Sequence, residues 1–431
     1  MTSVSHDSGN RRTLAETSVA SISPTYKFDK SATRTDIALL VSALFLQRFA
    51  LPFGNTFLQL DLVAIGGILL YQFLSGKLLI RYDRLLWFLG FALAATCSLL
   101  LNFKSTMLTG YFLFVIFFSL YSFSRPTTAD QYKSTLQAFQ FLVMLLSCLA
   151  VVQLAAQFVG EYDRLTHFYG LIPDFLLGPV QANGPPLTYF RSNGIFLAEP
   201  ATLSQLTALG ILIEVLEFRR LSYLLVLALG FLLSYSGTGL MLLILFLPLA
   251  GLRHDRAASP ALLVVIFALG LFATGIIDVS VFTSRANEVQ NRGTSGFGRL
   301  VAPFYLAAEH FDIEALQALL LGSGPGTVKI FVSTWANTLY TGNFAATWLK
   351  VLHEYGVIGS FIFGCFFACC LRRSRCPGLV TAAVLFAWVF LQGSMTITIA
   401  LCTLSGPEPR RARSDGSTEY QPSFVAGSAA G

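Results

Sequence analysis

The sequence predicts an all-α, polytopic membrane protein with about eleven transmembrane helices. Hydrophobic residues make up 54% of the 431 residues and charged residues 12%, whereas a soluble domain is usually about a quarter charged. Apolar segments of spanning length recur from residue 37 to residue 404, and two long polar gaps interrupt them, at about 160–195 and 279–345. Because hydrocarbon cannot satisfy backbone polar groups, the spans are expected to be helices.

Residues 1–36 form a polar tail with no apolar core close behind the initiator Met, so no cleavable signal peptide is expected. At ~20 residues per span, helices are predicted near 37–53, 57–76, 85–103, 106–124, 134–158, 197–217, 221–235, 238–252, 261–279, 347–371 and 378–404. The number ranges from about ten to twelve, because 221–252 and 378–404 divide in more than one way. Residues 405–431, rich in Pro, Arg, Ser and Gly, are predicted to be disordered.

Lys and Arg residues concentrate in alternate short connections, which are therefore predicted to be cytoplasmic together with the N-terminal tail. These connections contain Lys77, Arg81, Arg84, Arg125, Lys133, Arg219, Arg220, Arg253, Arg256, Arg372, Arg373 and Arg375. Both long loops then face outward, away from the cytoplasm. Eleven spans would put the arginines of the C-terminal tail outside as well, so either 378–404 re-enters the membrane or a span is miscounted.

The net charge of +6 is explained by this topology and by contact with anionic membrane lipid, so no nucleic-acid partner is expected. The seven cysteines lie in spans or at their cytoplasmic ends, without a CxxC spacing. They are interpreted as small apolar side chains. Neither a metal site nor a cofactor is predicted.

The first long loop ends in a cluster of polar and turn-forming residues, Arg191, Asn193, Gly194, Glu199 and Pro200. Pro200 suits the first turn of a helix, so the Glu199 carboxylate would lie at the positive end of the helix dipole. A structural interpretation is equally open, in which Glu199 caps the helix and Arg191 reaches lipid headgroups.

The second long loop contains Arg285, Arg292 and Arg299, followed by an amphipathic stretch that is predicted to lie flat on the membrane surface. The turn Gly322–Gly326 closes it and lacks the Lys and Ser/Thr of a phosphate-binding P-loop. Several guanidinium groups at one membrane surface suit a lipid diphosphate, because each presents a planar fork of donors that matches phosphate.

Several motifs occur in a fixed order along the chain. They are Arg191–Pro200, Leu232–Ser236, Gly298-Arg299, Gly322–Gly326 and a helix with Leu349, Glu354, Gly356 and Gly359. In this order the chain resembles the O-antigen ligase/polymerase (Wzy-type) superfamily from about Phe57 to Leu371. Within it, the chain is most similar to the polymerases of xanthan assembly.

The resemblance implies an inverting, metal-independent glycosyl transfer at the periplasmic face of a bacterial inner membrane. A growing glycan would pass from undecaprenyl diphosphate to the next lipid-linked repeat unit, in a pathway with flippase, chain-length and export proteins as possible partners. Arg191 and Arg299 would hold diphosphate and Glu199 would accept the proton. The further substrate-binding candidates are Arg285, Arg292, Asn193, Gly194 and Gly324.

Two alternatives remain at this stage, a ligase that uses the same donor and a flippase for the lipid-linked oligosaccharide. Ala345-Ala346 stands where many ligases have His-Asn, which argues against a ligase. Inside the spans, His353 and Glu354 are expected in the cytoplasmic half with a structural role. Asp61 is expected near the outer end of its span, as an interfacial group or a partner for an arginine.

Overall fold

The computed structural model describes residues 30–53, 56–103, 108–161, 191–253, 294–313, 315–336, 346–372, 374–391 and 393–407, with a few isolated positions besides. The predicted span 261–279, the N-terminal residues 1–29 and the tail from residue 408 lie outside the described residues. The same holds for Arg285 and Arg292.

Helices dominate the described residues, which confirms the all-α membrane fold. In the first half of the chain they are α1 Lys30–Phe45, α2 Leu60–Leu74, α3 Tyr82–Leu101, α4 Leu108–Ser119 and α5 Ala129–Phe158. Then follow α6 Pro200–Ile213, α7 Leu221–Leu233, α8 Gly237–Arg253, α9 Ser295–Leu300, α10 Ala302–Ile313, α11 Leu316–Leu321, α12 Val328–Ala336, α13 Thr347–Leu371, α14 Gly378–Leu391 and α15 Met395–Thr398. Four of them are long and apolar enough to cross a bilayer: α3, α5, α13, and α6 with its π-helical extension to Phe218.

Within the described residues, five short strands accompany the helices: β1 Ala50–Phe53, β2 Thr56–Gln59, β3 Leu79–Ile80, β4 Phe123–Thr127 and β5 Ser405–Pro407. The antiparallel pair β1–β2 shortens the first two spans relative to the prediction, because α1 ends at Phe45 and α2 begins only at Leu60. Pro52 in β1 lacks the N–H that an uninterrupted helix needs. At the other end, α1 begins at Lys30, inside the predicted tail.

Helix packing joins two groups. α5, α6 and α7 pack against one another, α8 packs along α6, and α3 packs along α13. α1 contacts both α2 and α5, while α14 contacts α6, α8 and α13. One apolar core therefore runs through both groups.

One end of the bundle, here called the basic end, is defined by Arg81, Arg84, Arg125 and Arg375. There β4 lies between β3 and β5, and Arg125 pairs with Asp36 of α1. The fully buried Arg84 guanidinium donates to the carbonyls of Thr403 at 2.7 Å, Cys370 at 2.9 Å and Phe123 at 3.0 Å. Because these carbonyls belong to separate elements, Arg84 ties this end of the bundle together.

The segment 378–404, whose course the sequence left open, turns back on itself. α14 begins beside the basic end and has only 14 residues, about 21 Å at 1.5 Å per residue, too short for a hydrocarbon core of about 30 Å. After Gly393 and Ser394, α15 and its π-helical continuation Ile399–Thr403 return to β5. The amide of Arg375 donates to the Ser405 carbonyl, 3.0 Å away, so both ends of the segment lie at the basic end. The described residues of this segment thus form a hairpin, which is the shape that the re-entrant alternative requires.

Candidate functional site

A cavity of about 500 Å³ opens at the end of the bundle opposite the basic end, and it is here called the polar cavity. α2, α4, α6, α9, α13 and the turn between α14 and α15 all contribute to its wall. Four charged residues among those that the structure describes line it: Asp61, Glu199, Arg299 and Lys350. Its neutral hydrogen-bonding residues are Gln47, Gln59, Thr202, Gln205, Ser394 and Thr396.

Glu199 and Arg299, predicted from two different outer loops, meet in this cavity. The Arg299 Nη2 atom donates to Glu199 Oε2 at 2.7 Å, and the Arg299 side chain is only 9% exposed. Glu199 precedes Pro200 at the start of α6, as the sequence predicts, but its side chain makes no capping hydrogen bond to that helix. The carboxylate therefore orients the guanidinium rather than the helix start. Thr294 caps α9, with its hydroxyl accepting from the Phe297 amide, and so fixes the helix that bears Arg299.

Asp61 and Lys350 complete the charged lining. Asp61 lies in the first turn of α2, is 3% exposed, and accepts a hydrogen bond from the Leu62 amide at 2.8 Å. Lys350 lies one turn into α13, with its Nζ atom 5.2 Å from the centre of the Phe114 ring. The sequence left the role of Asp61 open and gave no sign of Lys350, because a lone lysine in the first turn of a span usually contacts headgroups.

Asn193 and Gly194, predicted to bind substrate, shape the turn that leads to Glu199. Asn193 Oδ1 accepts from the Gln153 side chain at 3.0 Å and from the Ile195 amide at 3.1 Å, and Asn193 is buried. Gly194 adopts a φ of +67°, a conformation that costs a glycine little. Arg191 begins the same turn, and it is not one of the residues that line the polar cavity.

A second, mostly apolar cavity of about 380 Å³, here called the apolar groove, adjoins the first. The two share Gln47, Gln59, Leu62, Leu113, Phe117 and Ala198. Val63 and Ile116, 44% and 61% exposed, lie on the outer side of the groove. The buried Arg48 also lines it and donates to the Ile195 carbonyl at 2.6 Å, a role that the sequence analysis missed.

The glycine-rich turn packs directly on α13. The Gly324 amide donates to the Glu354 carbonyl at 3.2 Å, and the Ser98 hydroxyl donates to the same oxygen at 2.7 Å. At Gly356 the helix kinks with a φ of +68°, and a Cβ there would lie 2.6 Å from the amide nitrogen of Gly322. These glycines are needed for close backbone approach. Gly324, predicted to bind substrate, is buried in this contact and does not line the polar cavity.

His353 and Glu354 lie nearer the polar cavity than the sequence analysis expected. Both are within two turns of the start of α13, close to Lys350, and not in its basic half. His353 faces His310 of α10 with 3.2 Å between their Nδ1 atoms, and its ring stacks on Phe331 of α12. The pair joins the second long loop to α13. The described residues include no group of three His, Cys, Asp or Glu side chains suited to a metal ion.

The amphipathic stretch of the second loop forms α10, but only part of its apolar face is free. Leu306 and Ala307 are buried in a small core with Leu349 of α13. Phe304 and Phe311 are 60% and 48% exposed. The helix therefore docks on the protein along one side and leaves aromatic side chains exposed on another.

In a comparison with protein families, the sequence model described as WcaD colanic acid polymerase matches residues 36–397. This range contains every residue that lines the polar cavity. The match confirms the predicted Wzy-type polymerase resemblance, without testing the similarity to xanthan polymerases. No curated protein and no solved structure matches the chain.

Proposed function

Since the chain belongs to the WcaD colanic acid polymerase family and is thus a Wzy-type polysaccharide polymerase of a membrane, we propose that it extends an exopolysaccharide on undecaprenyl diphosphate. The growing glycan passes to the sugar end of the next lipid-linked repeat unit. Transfer takes place at the periplasmic face of a bacterial inner membrane, inverts the anomeric carbon and needs no metal ion. The family description points to colanic acid and the sequence resemblance to a xanthan-like polymer, so the repeat unit is a matter for experiment.

The observation that carries this proposal is the charge pattern of the polar cavity. Glycosyl transfer from a diphosphate releases an anionic leaving group, which preorganised cations stabilise. Arg299, held at 2.7 Å by Glu199, has five planar donors and can keep one edge on Glu199 while another faces phosphate. Lys350 adds a second positive charge to the same wall. These two side chains bind the donor diphosphate.

The uncharged part of the cavity suits sugars. Gln, Ser and Thr side chains offer donors and acceptors for hydroxyl groups, on a wall that also contains Leu113, Phe114 and Phe117. Such a mixture of an apolar surface with a few placed polar groups is typical of ligand sites. The glycan lies here during transfer.

The apolar groove receives the isoprenoid chain. It begins at the residues that it shares with the polar cavity and reaches exposed apolar side chains such as Val63 and Ile116. A lipid can therefore keep its diphosphate among the charged residues while its isoprenoid chain contacts the bilayer. Neither the cost of burying charge in hydrocarbon nor that of exposing the chain to water is incurred. The acceptor lipid has a diphosphate of its own. The side chains proposed to bind it are those of Arg191, Arg285 and Arg292.

Reconstitution tests the proposal. The purified protein in liposomes, supplied with lipid-diphosphate repeat units, should produce a ladder of glycans that grows by one repeat at a time. Lys350→Ala should weaken donor binding, while Lys329→Ala, an exposed lysine of α12, should not. A single transfer to a different acceptor would mean a ligase, and movement of the lipid without a new bond would mean a flippase.

A further inference from the structure

Glycosyl transfer requires a destination for one proton. The acceptor hydroxyl attacks the anomeric carbon, the bond from that carbon to the diphosphate oxygen breaks, and its electron pair leaves with the diphosphate. The hydroxyl proton must pass to a base on the acceptor side. This inference rests on the proposed function and concerns which carboxylate takes that proton.

Glu199 is poorly placed to be this base. Its Oε2 atom accepts a 2.7 Å bond from Arg299, and a charge-assisted bond of this kind is among the stronger ones in proteins. Protonation of Glu199 during each turnover would weaken that bond. It would also loosen the guanidinium just as charge develops on the diphosphate, which is when Arg299 is most needed.

Among the described residues that line the polar cavity, Asp61 is the second carboxylate. Asp61 is 97% buried in the protein, yet it lines the cavity. The hydrogen bond that it accepts comes from the neighbouring Leu62 amide, on Oδ1. Among the described residues no arginine or lysine forms an ion pair with it. The Leu62 bond fixes the carboxylate while leaving the other oxygen to accept a proton.

The surroundings of Asp61 fit an acceptor sugar rather than a phosphate. Gln47, which precedes β1, and Gln59, the last residue of β2, also line the cavity. Both are neutral and can orient sugar hydroxyls. The other charged groups of the cavity are Glu199, Arg299 and Lys350, on α6, α9 and α13.

We propose that Asp61 is the general base of the transfer reaction, and that Glu199 is a positioning residue for Arg299. Asp61 removes the proton from the acceptor hydroxyl as the new bond to the anomeric carbon forms. Arg299 and Lys350 stabilise the diphosphate as it departs with the electron pair. The proton on Asp61 then returns to water before the next repeat unit arrives.

The test compares Asp61→Asn and Glu199→Gln in the reconstituted assay. Asparagine keeps the size of the side chain and an oxygen for the Leu62 amide, so folding should be preserved. Turnover should fall roughly 10²–10⁴-fold in Asp61→Asn, as is typical for a lost general base, with donor affinity nearly unchanged. Glu199→Gln should retain much more turnover. Asp83→Asn, a first-turn carboxylate of α3 at the basic end, should behave like the unaltered protein.

Azide distinguishes a variant that lacks its general base from one that is misfolded, because azide attacks the anomeric carbon without having to lose a proton. In Asp61→Asn, azide should restore donor cleavage and give a glycosyl azide, and the acid-side fall of the pH–rate profile should disappear. Asp61→Ser provides the same readout if the asparagine variant melts early. Asp61→Glu should recover part of the polymer yield.

Three results would overturn the inference. The first is an Asp61→Asn variant whose turnover stays within about tenfold of that of the unaltered protein. The second is a loss of turnover that azide restores in neither the asparagine nor the serine variant. The third is azide rescue of Glu199→Gln instead. A failure of the unaltered protein to make any ladder from lipid-linked repeats is different, because it would contradict the proposed function itself.

Discussion

The Glu199–Arg299 pair leads to a prediction in which a second mutation repairs the first. Under the proposed function, Arg299→Ala removes a cation that binds the donor diphosphate, and it leaves the Glu199 carboxylate in the cavity without this partner. Loss of a hydrogen bond to a charged group costs about 1.5–3 kcal/mol. The exposed carboxylate adds a repulsion, since it now shares the cavity with an anionic substrate.

The repulsion can be estimated from the contact. With 2.7 Å between Arg299 Nη2 and Glu199 Oε2, a phosphate oxygen bound to the other hydrogen of the same nitrogen would lie roughly 5 Å from the carboxylate oxygen. At that separation and an effective dielectric constant of about 40, two like unit charges repel by about 1.7 kcal/mol. Since about 1.4 kcal/mol is tenfold, Arg299→Ala should lower kcat/KM for the donor roughly 200-fold to 3000-fold.

The double variant Glu199→Ala/Arg299→Ala removes the repulsive charge together with the cation. It should therefore lose only about 10-fold to 150-fold and be better than Arg299→Ala alone. The assay is the initial rate of ladder formation as a function of donor concentration, at equal protein per liposome. The exposed Arg81–Asp83 pair, 2.8 Å apart at the basic end, provides control variants that should not change the rate.

A double variant as poor as Arg299→Ala, or poorer, would refute this reasoning. If Glu199 is itself the base, as the sequence analysis proposed, the double variant loses both functions and becomes the least active of the set. The prediction thus distinguishes a carboxylate that positions a guanidinium from one that takes a proton, without depending on the result for Asp61.

The remaining predictions concern topology, metals and the kinked helix. Cysteines placed at Gly184 and Ala286 should react with a membrane-impermeant thiol reagent in intact spheroplasts, whereas one at Ser374 should not; reversed labelling would contradict the orientation. Activity should survive EDTA, and complete loss that a single divalent ion restores would contradict a metal-independent transfer. Gly356→Ala should lower the melting temperature in detergent, because its Cβ would meet the glycine-rich turn at a φ of +68°. Gly364→Ala, in the same helix with nothing within 4 Å of the added Cβ, should be neutral or slightly stabilising, and equal melting of the two variants would contradict the close contact.

Hydropathy was sufficient for the class of fold, because the cost of burying backbone polar groups in hydrocarbon leaves few alternatives. It was not sufficient for the ends of spans. Pro52 and the β1–β2 pair lie in a stretch whose average hydrophobicity resembles that of a helix. The depth of His353 and Glu354 was also misjudged, since composition alone does not say where along α13 the glycine-rich turn docks.

The candidate site was predicted in part. Glu199 and Arg299, 100 positions apart, were selected from the chemistry of their loops, and the structure brings them within hydrogen-bonding distance. Lys350 was overlooked, because polar residues at span ends resemble headgroup contacts until the packing shows which face a cavity. Asn193 was predicted to bind substrate, but its side-chain oxygen accepts hydrogen bonds from Gln153 and Ile195 within the turn. A loop sequence does not distinguish an amide that binds sugar from one that holds a turn.

Because both ends of the segment 378–404 lie at the basic end, the part of the polar-cavity wall that this segment forms is anchored at the opposite end of the bundle. Gly393 and Ser394 lie at the tip of this hairpin. Its returning leg is fixed at the base by the Arg84 bond to the Thr403 carbonyl and by the pairing of β4 with β5, and the Arg375 amide links the base of α14 to Ser405. A disturbance at Ser405–Pro407 is therefore expected to reach the proposed site of glycan extension through α15. We therefore expect a tag or truncation next to β5 to affect the polar cavity, although the depth of the bundle separates the two.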